Sequence, residues 1–160
     1  MERSSGGLLS RLVVRRPVMP EALEPAWWAF LDCCDALEGG RRVLLGVLPV
    51  GRVEPAPITL GTTALRQAID DVRHWMPGWR IEPLEAEWAA CDGALGSALS
   101  RLDRIDGIAA STDELDDVLD PVRALMDRLD AFADAEAAFR RMWRCPDSRA
   151  RPDVEGDPRG

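Results

Sequence analysis

Leu84, Trp88, Cys91, Leu95, Ala98, Leu102 and Ile105 follow one another at steps of four, three, four, three, four and three residues. Only a helix that buries one stripe along its length suits that pattern, because alternating steps of three and four return to the same helical face. Pro83 stands where a first helical turn accepts proline, and Gly107 marks the stop. A second seam follows at once: Leu115, Val118, Val122, Leu125, Leu129, Phe132, Phe139 and Trp143, widened by Leu119 and Met126. The connection "GIAA" is too short for anything but an antiparallel neighbour, so the spacing predicts a helical hairpin of about 83–106 against 112–144.

Local signals refine the second helix. Ser111 followed by Glu114 reads as a capping box that starts it. Pro121 lies past the first turn, which predicts a kink or a restart with Asp120 as a new N-cap. Glu136 occupies a seam position where an apolar residue is expected, so it marks either a fraying end or a carboxylate paired with an arginine, with Arg42, Arg80 or a partner's arginine as the counter-charge.

Two shorter helices complete the domain. Leu23, Trp27, Phe30, Cys34 and Leu37 share one face of a helix placed at Pro25 to Glu38, with the pair Gly39–Gly40 read as its stop. Leu65, Ile69, Val72, Trp75 and Met76 define another, ended by Pro77–Gly78. Between them, residues 41–60 are rich in Val and Leu but broken by glycine and proline, which predicts short edge strands or an apolar loop. The expected fold class is mainly α: an antiparallel helical hairpin in a four-helix-bundle-like domain, with a small β-like or irregular insert at about 41–60. Residues 1–19 are expected to form an N-terminal arm, 20–145 the single helical domain and 146–160 a disordered tail poor in apolar side chains.

Charge narrows the function. With a formal net charge of −8 the chain is repelled by phosphate backbones and anionic lipid, so no direct nucleic-acid binding and no membrane association are expected. The early apolar run is broken by Arg11 with no cleavage-site pattern after it, which predicts a cytoplasmic location. The absence of lysine, tyrosine and asparagine beside abundant arginine reads as the codon bias of a GC-rich, bacterial genome.

Catalytic chemistry finds little footing. Cys33, Cys34, Cys91 and Cys145 lack the paired spacings of a structural zinc site, and His74 is the only histidine, so neither a metal site nor any cofactor is expected. No phosphate-binding loop, G-x-S-x-G or H-E-x-x-H motif occurs, and no catalytic residue is assigned. A thiol- or metal-dependent activity at these cysteines and His74 ranks third among the readings.

Two surfaces suit protein partners. Trp28 and Trp79 fall off the core stripes that absorb Trp27, Trp75, Trp88 and Trp143, and with Val43, Leu44, Leu45, Val47 and Leu48 they form the expected apolar interface. The expectation is a non-catalytic interaction module, acting as a homodimer or as a small subunit of a larger assembly. The alternative uses Asp113, Asp116, Asp117, Asp120, Asp127, Asp130 and Asp134, an acidic face able to mask a basic surface as an inhibitor or antitoxin does.

Overall fold

The computed structural model describes residues 16–49 and 51–146 of the 160. Four helices, α1 (Glu24–Gly46), α2 (Pro55–Trp75), α3 (Glu85–Ala109) and α4 (Leu115–Met142), make an antiparallel bundle, with 3-10 turns at Glu21–Leu23, Met76–Trp79 and Glu82–Leu84. The predicted hairpin is α3 with α4, and Cys91, Leu95, Ala98, Leu102, Ile105, Val118, Val122, Leu125 and Leu129 are all buried. Neither helix is long and apolar enough to cross a membrane, nor is any other described helix.

The turn between the seams differs in detail from the expectation. Residues Gly107 to Ala109 continue α3, and Ser111 Oγ donates to the carbonyls of Gly107 or Ile108, so it closes the end of α3 instead of opening α4. The start of α4 is secured by Thr112, whose Oγ1 accepts the Glu114 N–H at 3.0 Å and donates to Asp117 at 2.7 Å. Pro121 neither restarts nor divides α4, which runs through it as one helix with the proline ring buried. Proline removes one N–H near the start of the helix, and burial of the ring against the hairpin offsets that cost.

Among the described residues the expected insert at about 41–60 contains no strand, and its irregular part is confined to a short link. Residues 41–46 extend α1, and α2 begins at Pro55, where prolines at first-turn positions are tolerated. The Gly39–Gly40 pair is not a stop, because Gly40 is where α1 crosses α2: a Cβ there would lie 3.2 Å from the Leu65 Cα. Gly61 on α2 answers it, with a Cβ that would lie 3.0 Å from the Leu44 Cα and 2.9 Å from Val47 Cγ2. The glycines permit close helix packing, a use that outweighs their poor helix propensity. Only the short link 47–54 remains outside the helices, with Gly51 at φ +117° and Val50 outside the described residues. That link docks on the α3–α4 turn through the Val53 N–H to the Asp113 carbonyl, at 3.2 Å, and through Arg52 to the Asp113 carboxylate, at 2.6 Å.

Polar bonds tie α2 to α3. The buried Thr62 hydroxyl donates to Asp106 at 2.5 Å, Arg66 bridges Asp103 and Asp106, and Arg73 pairs with Asp92 at 2.9 Å. Between α1 and α4 the contact is made by large rings. Trp27, Phe30, Trp79 and Phe139 form one cluster with centroid separations of 4.6 to 5.6 Å, and Phe132 adds to its edge. Such pairs contribute roughly 0.5–1.5 kcal/mol each beyond the area they bury.

The two ends of the described chain meet beside this cluster. Val18 and Arg144 form an isolated parallel bridge, through Met19 N–H to the Arg144 carbonyl at 3.1 Å and Arg144 N–H to the Pro17 carbonyl at 2.8 Å. Trp27 Nε1 donates to the Pro146 carbonyl and Met19 is buried, so both chain ends are tied to the bundle there, while residues 16–18 stay exposed. Residues 1–15 of the expected arm and 147–160 of the expected tail lie outside the described residues.

Candidate functional site

The predicted apolar interface separates into buried and exposed members. Trp79 is wholly buried at the centre of the aromatic cluster, because the 3-10 turn Met76–Trp79 folds its ring inward against Trp27, Phe30 and Phe139. Its Nε1 has no acceptor among the described residues. Leu44 is buried as well, since it faces Gly61. Trp28, Val47 and Leu48 are half-buried against the core. Val43 and Leu45 remain exposed, at 46% and 43%. Trp75, expected in the core, is 39% exposed with His74 edge-on to it.

Distance also divides the prediction. Fifteen residues of α1, about 22 Å of helix, separate Trp28 from Val43, so the two do not belong to one small patch. A residue that sequence reasoning missed lies much nearer: Leu60, 66% exposed, adjoins Gly61 just as Val43 and Leu45 adjoin Leu44. In antiparallel helices Val43 and Leu60 then flank the Leu44–Gly61 contact on one side, and Leu45 lies on the other. Leu60 is detectable only by extending α2 back to Pro55, when it falls off the buried Ile58, Leu65, Ile69 and Val72 stripe.

The acidic residues are all exposed, and several are already partnered. Asp113 pairs with Arg52, Asp120 with Arg123, and Asp130 with Arg41 at 2.8 Å, while Asp117 accepts from Thr112. Asp116, Asp117 and Asp120 line an open cleft of about 620 Å³ at the α3–α4 turn, together with Arg104, Ile108, Ser111, Thr112 and Pro121. Asp116 and Asp117 also suit the positive end of the α4 dipole, a structural role sufficient to explain them there.

Glu136 is held within a continuous helix, where its side chain keeps only 14% exposure. Its counter-charge is Arg140, one turn later, and not Arg42 or Arg80. That i, i+4 spacing was legible in the sequence. The Arg140 guanidinium also lies 5.4 Å over the Trp27 ring, a cation–π contact that fixes it on the aromatic cluster. Cys34, Leu37, Phe132, Glu136 and Arg140 border a small cleft of about 120 Å³ between α1 and α4.

All four cysteines are free thiols. Burial pushes Cys34 well above the ordinary thiol range, with Glu136 adding to the effect. Cys91 is pushed up to about 12 by burial and then by Glu136, and Cys145 to about 11, chiefly by burial, with Arg140 opposing. Cys33 is raised by burial and by the carboxylates of Asp71 and Asp32. These environments favour neutral thiols at neutral pH, the opposite of an activated nucleophile. Among the described residues no group of three or more His, Cys, Asp and Glu side chains has the arrangement to hold a metal ion. Comparison of the chain with protein-family models, with curated proteins and with solved structures finds no match.

Proposed function

We propose that the chain is a non-catalytic interaction module of the bacterial cytoplasm that self-associates through the α1–α2 face. The observation that carries the reading is the exposure of Val43 and Leu60, which flank the Leu44–Gly61 contact of the two antiparallel helices on the same side, whereas Leu45 points to the other side. Two exposed aliphatic side chains on adjacent helices make a surface that gains free energy when covered. Trp28, half-buried and far along α1, lies outside this patch.

Light scattering over a dilution series, in low and in high salt, tests it. The expected result is a dimer or larger species that survives salt, because apolar burial is not screened. The variant Val43→Asp combined with Leu60→Asp then runs as a monomer. A wild-type monomer at every concentration would defeat self-association. The cleft lined by Asp116, Asp117 and Asp120 supports a second reading, an acidic face that covers a basic protein, and complexes of that kind weaken steeply with salt.

A further inference from the structure

The geometry points to an oxyanion site for a phosphoryl group in the cleft where the two chain ends meet, independent of the α1–α2 face. This cleft, about 280 Å³, is bordered by Arg16, Arg140, Trp143, Arg144, Cys145 and Pro146. Three arginines thus border one cleft in a chain whose formal charge is −8, and no carboxylate borders it among the described residues. Arg140 is itself paired with Glu136, which lies outside the cleft lining. Burial raises the Cys145 thiol most; Arg140 and Arg16 draw it down and Glu136 pushes it up, so both arginines lie within electrostatic reach of the cleft's thiol.

The arrangement is built and not accidental to one flexible side chain. Arg16 Nη1 donates to the carbonyls of Arg140 and Arg141, at 3.3 and 3.2 Å, so it caps the negative end of α4 that would otherwise repel an anion. A guanidinium carries five N–H donors, which leaves the rest of that fork for a ligand. Arg144 is anchored by its backbone in the bridge to Val18, and its guanidinium has no ion-pair partner among the described residues. Arg140 is immobilised between Glu136 and the Trp27 ring. Arg16 and Arg144, with Arg140 already balanced by Glu136, suit a dianion with several acceptor oxygens, and paired guanidinium forks recognise phosphoryl oxygens in that way.

The test is calorimetric titration of the full chain with inorganic phosphate and, separately, with phenyl phosphate, at constant ionic strength. Saturable binding is expected, weakened about tenfold by Arg144→Gln and by Arg16→Gln and unchanged by Arg128→Gln, an exposed arginine elsewhere on α4. Arg144→Gln keeps the backbone bonds of the bridge, so it decides the matter if Arg16→Gln loosens the chain ends. Tighter binding of phenyl phosphate assigns the site to a phosphomonoester, and equal binding assigns it to the free ion. Absence of saturable binding at about 10 mM of either anion, or an equal loss in Arg128→Gln, would overturn the site.

Discussion

The α3–α4 hairpin and the α1–α2 pair bury comparable helices by different means. In the hairpin, Leu, Val and Ile side chains at heptad spacing fill the interface, and the chain turns back over a few residues. In the α1–α2 pair two glycines, Gly40 and Gly61, replace side chains at the crossing, and the backbones themselves come into contact. A stripe of large residues announces its burial through periodicity. A glycine announces only freedom, and the same residue ends one helix and allows another to cross.

The joint between these halves should show the largest effect. Thiols on α1, α3 and the C-terminal segment are all raised in the folded state, so they ionise more readily once unfolded. A folded pKa above the unfolded one stabilises fully below the unfolded value, and that contribution is lost as pH rises through the folded value. Stability is therefore expected to fall from about the ordinary thiol value of 9.0 towards the 11 to 12 of Cys145 and Cys91. Urea melts of wild type and Cys91→Ala across that range check it. An equal alkaline slope in both would remove Cys91 from the account.

Trp79→Ala comes next, at about 3–5 kcal/mol, as for other buried aromatic truncations. Trp79→Phe should cost much less, since it keeps most of the ring stacking and removes a buried Nε1–H without an acceptor. Equal losses in the two variants, measured by denaturant titration, would show that the indole N–H has a partner after all. Within the hairpin, Leu95→Ala and Leu129→Ala should each cost about 2–5 kcal/mol. Small losses there would break the seam.

What can be read from the sequence follows the same division. The hairpin seams, the burial of Cys91, the packing of half-buried Cys34 against the core and the helical class are legible because repeated apolar spacing has one cheap solution. Trp79 is misplaced by pattern alone because "PGW" signals a turn without saying where the third side chain points, and here a 3-10 turn aims it at three rings. The helical character of 41–60 is hidden because prolines and glycines signal breaks, whereas Pro55 and Pro57 sit in a first turn and Gly61 sits at a crossing. The exposed Asp residues fall on the solvent side as their spacing implies, but their arginine partners Arg41 and Arg52 come from distant segments that no local pattern links to them. Arg140 is the counter-example, local to Glu136 and readable from spacing alone.

The crossing itself can be broken directly. Gly61→Ala would place a Cβ 3.0 Å from the Leu44 Cα, which backbone cannot evade without moving a helix, so a loss of about 1–3 kcal/mol is expected. A variant as stable as wild type in thermal or urea melts would mean that the two helices do not approach so closely.

The finest test uses neighbouring residues of the same kind. A Cβ at Gly39 meets nothing within 4 Å, whereas one at Gly40 lies 3.2 Å from the Leu65 Cα. Both lie inside α1, so both lose the same conformational entropy on folding, and alanine recovers that entropy equally at each. Gly39→Ala should therefore stabilise by about 0.4–1 kcal/mol, while at Gly40 the steric cost outweighs the same gain and the sign reverses. Paired urea melts resolve the difference because common changes in the unfolded chain cancel. If both substitutions stabilise alike, Gly40 is an ordinary helix position, and the α1–α2 pair is held by its side chains as the hairpin is.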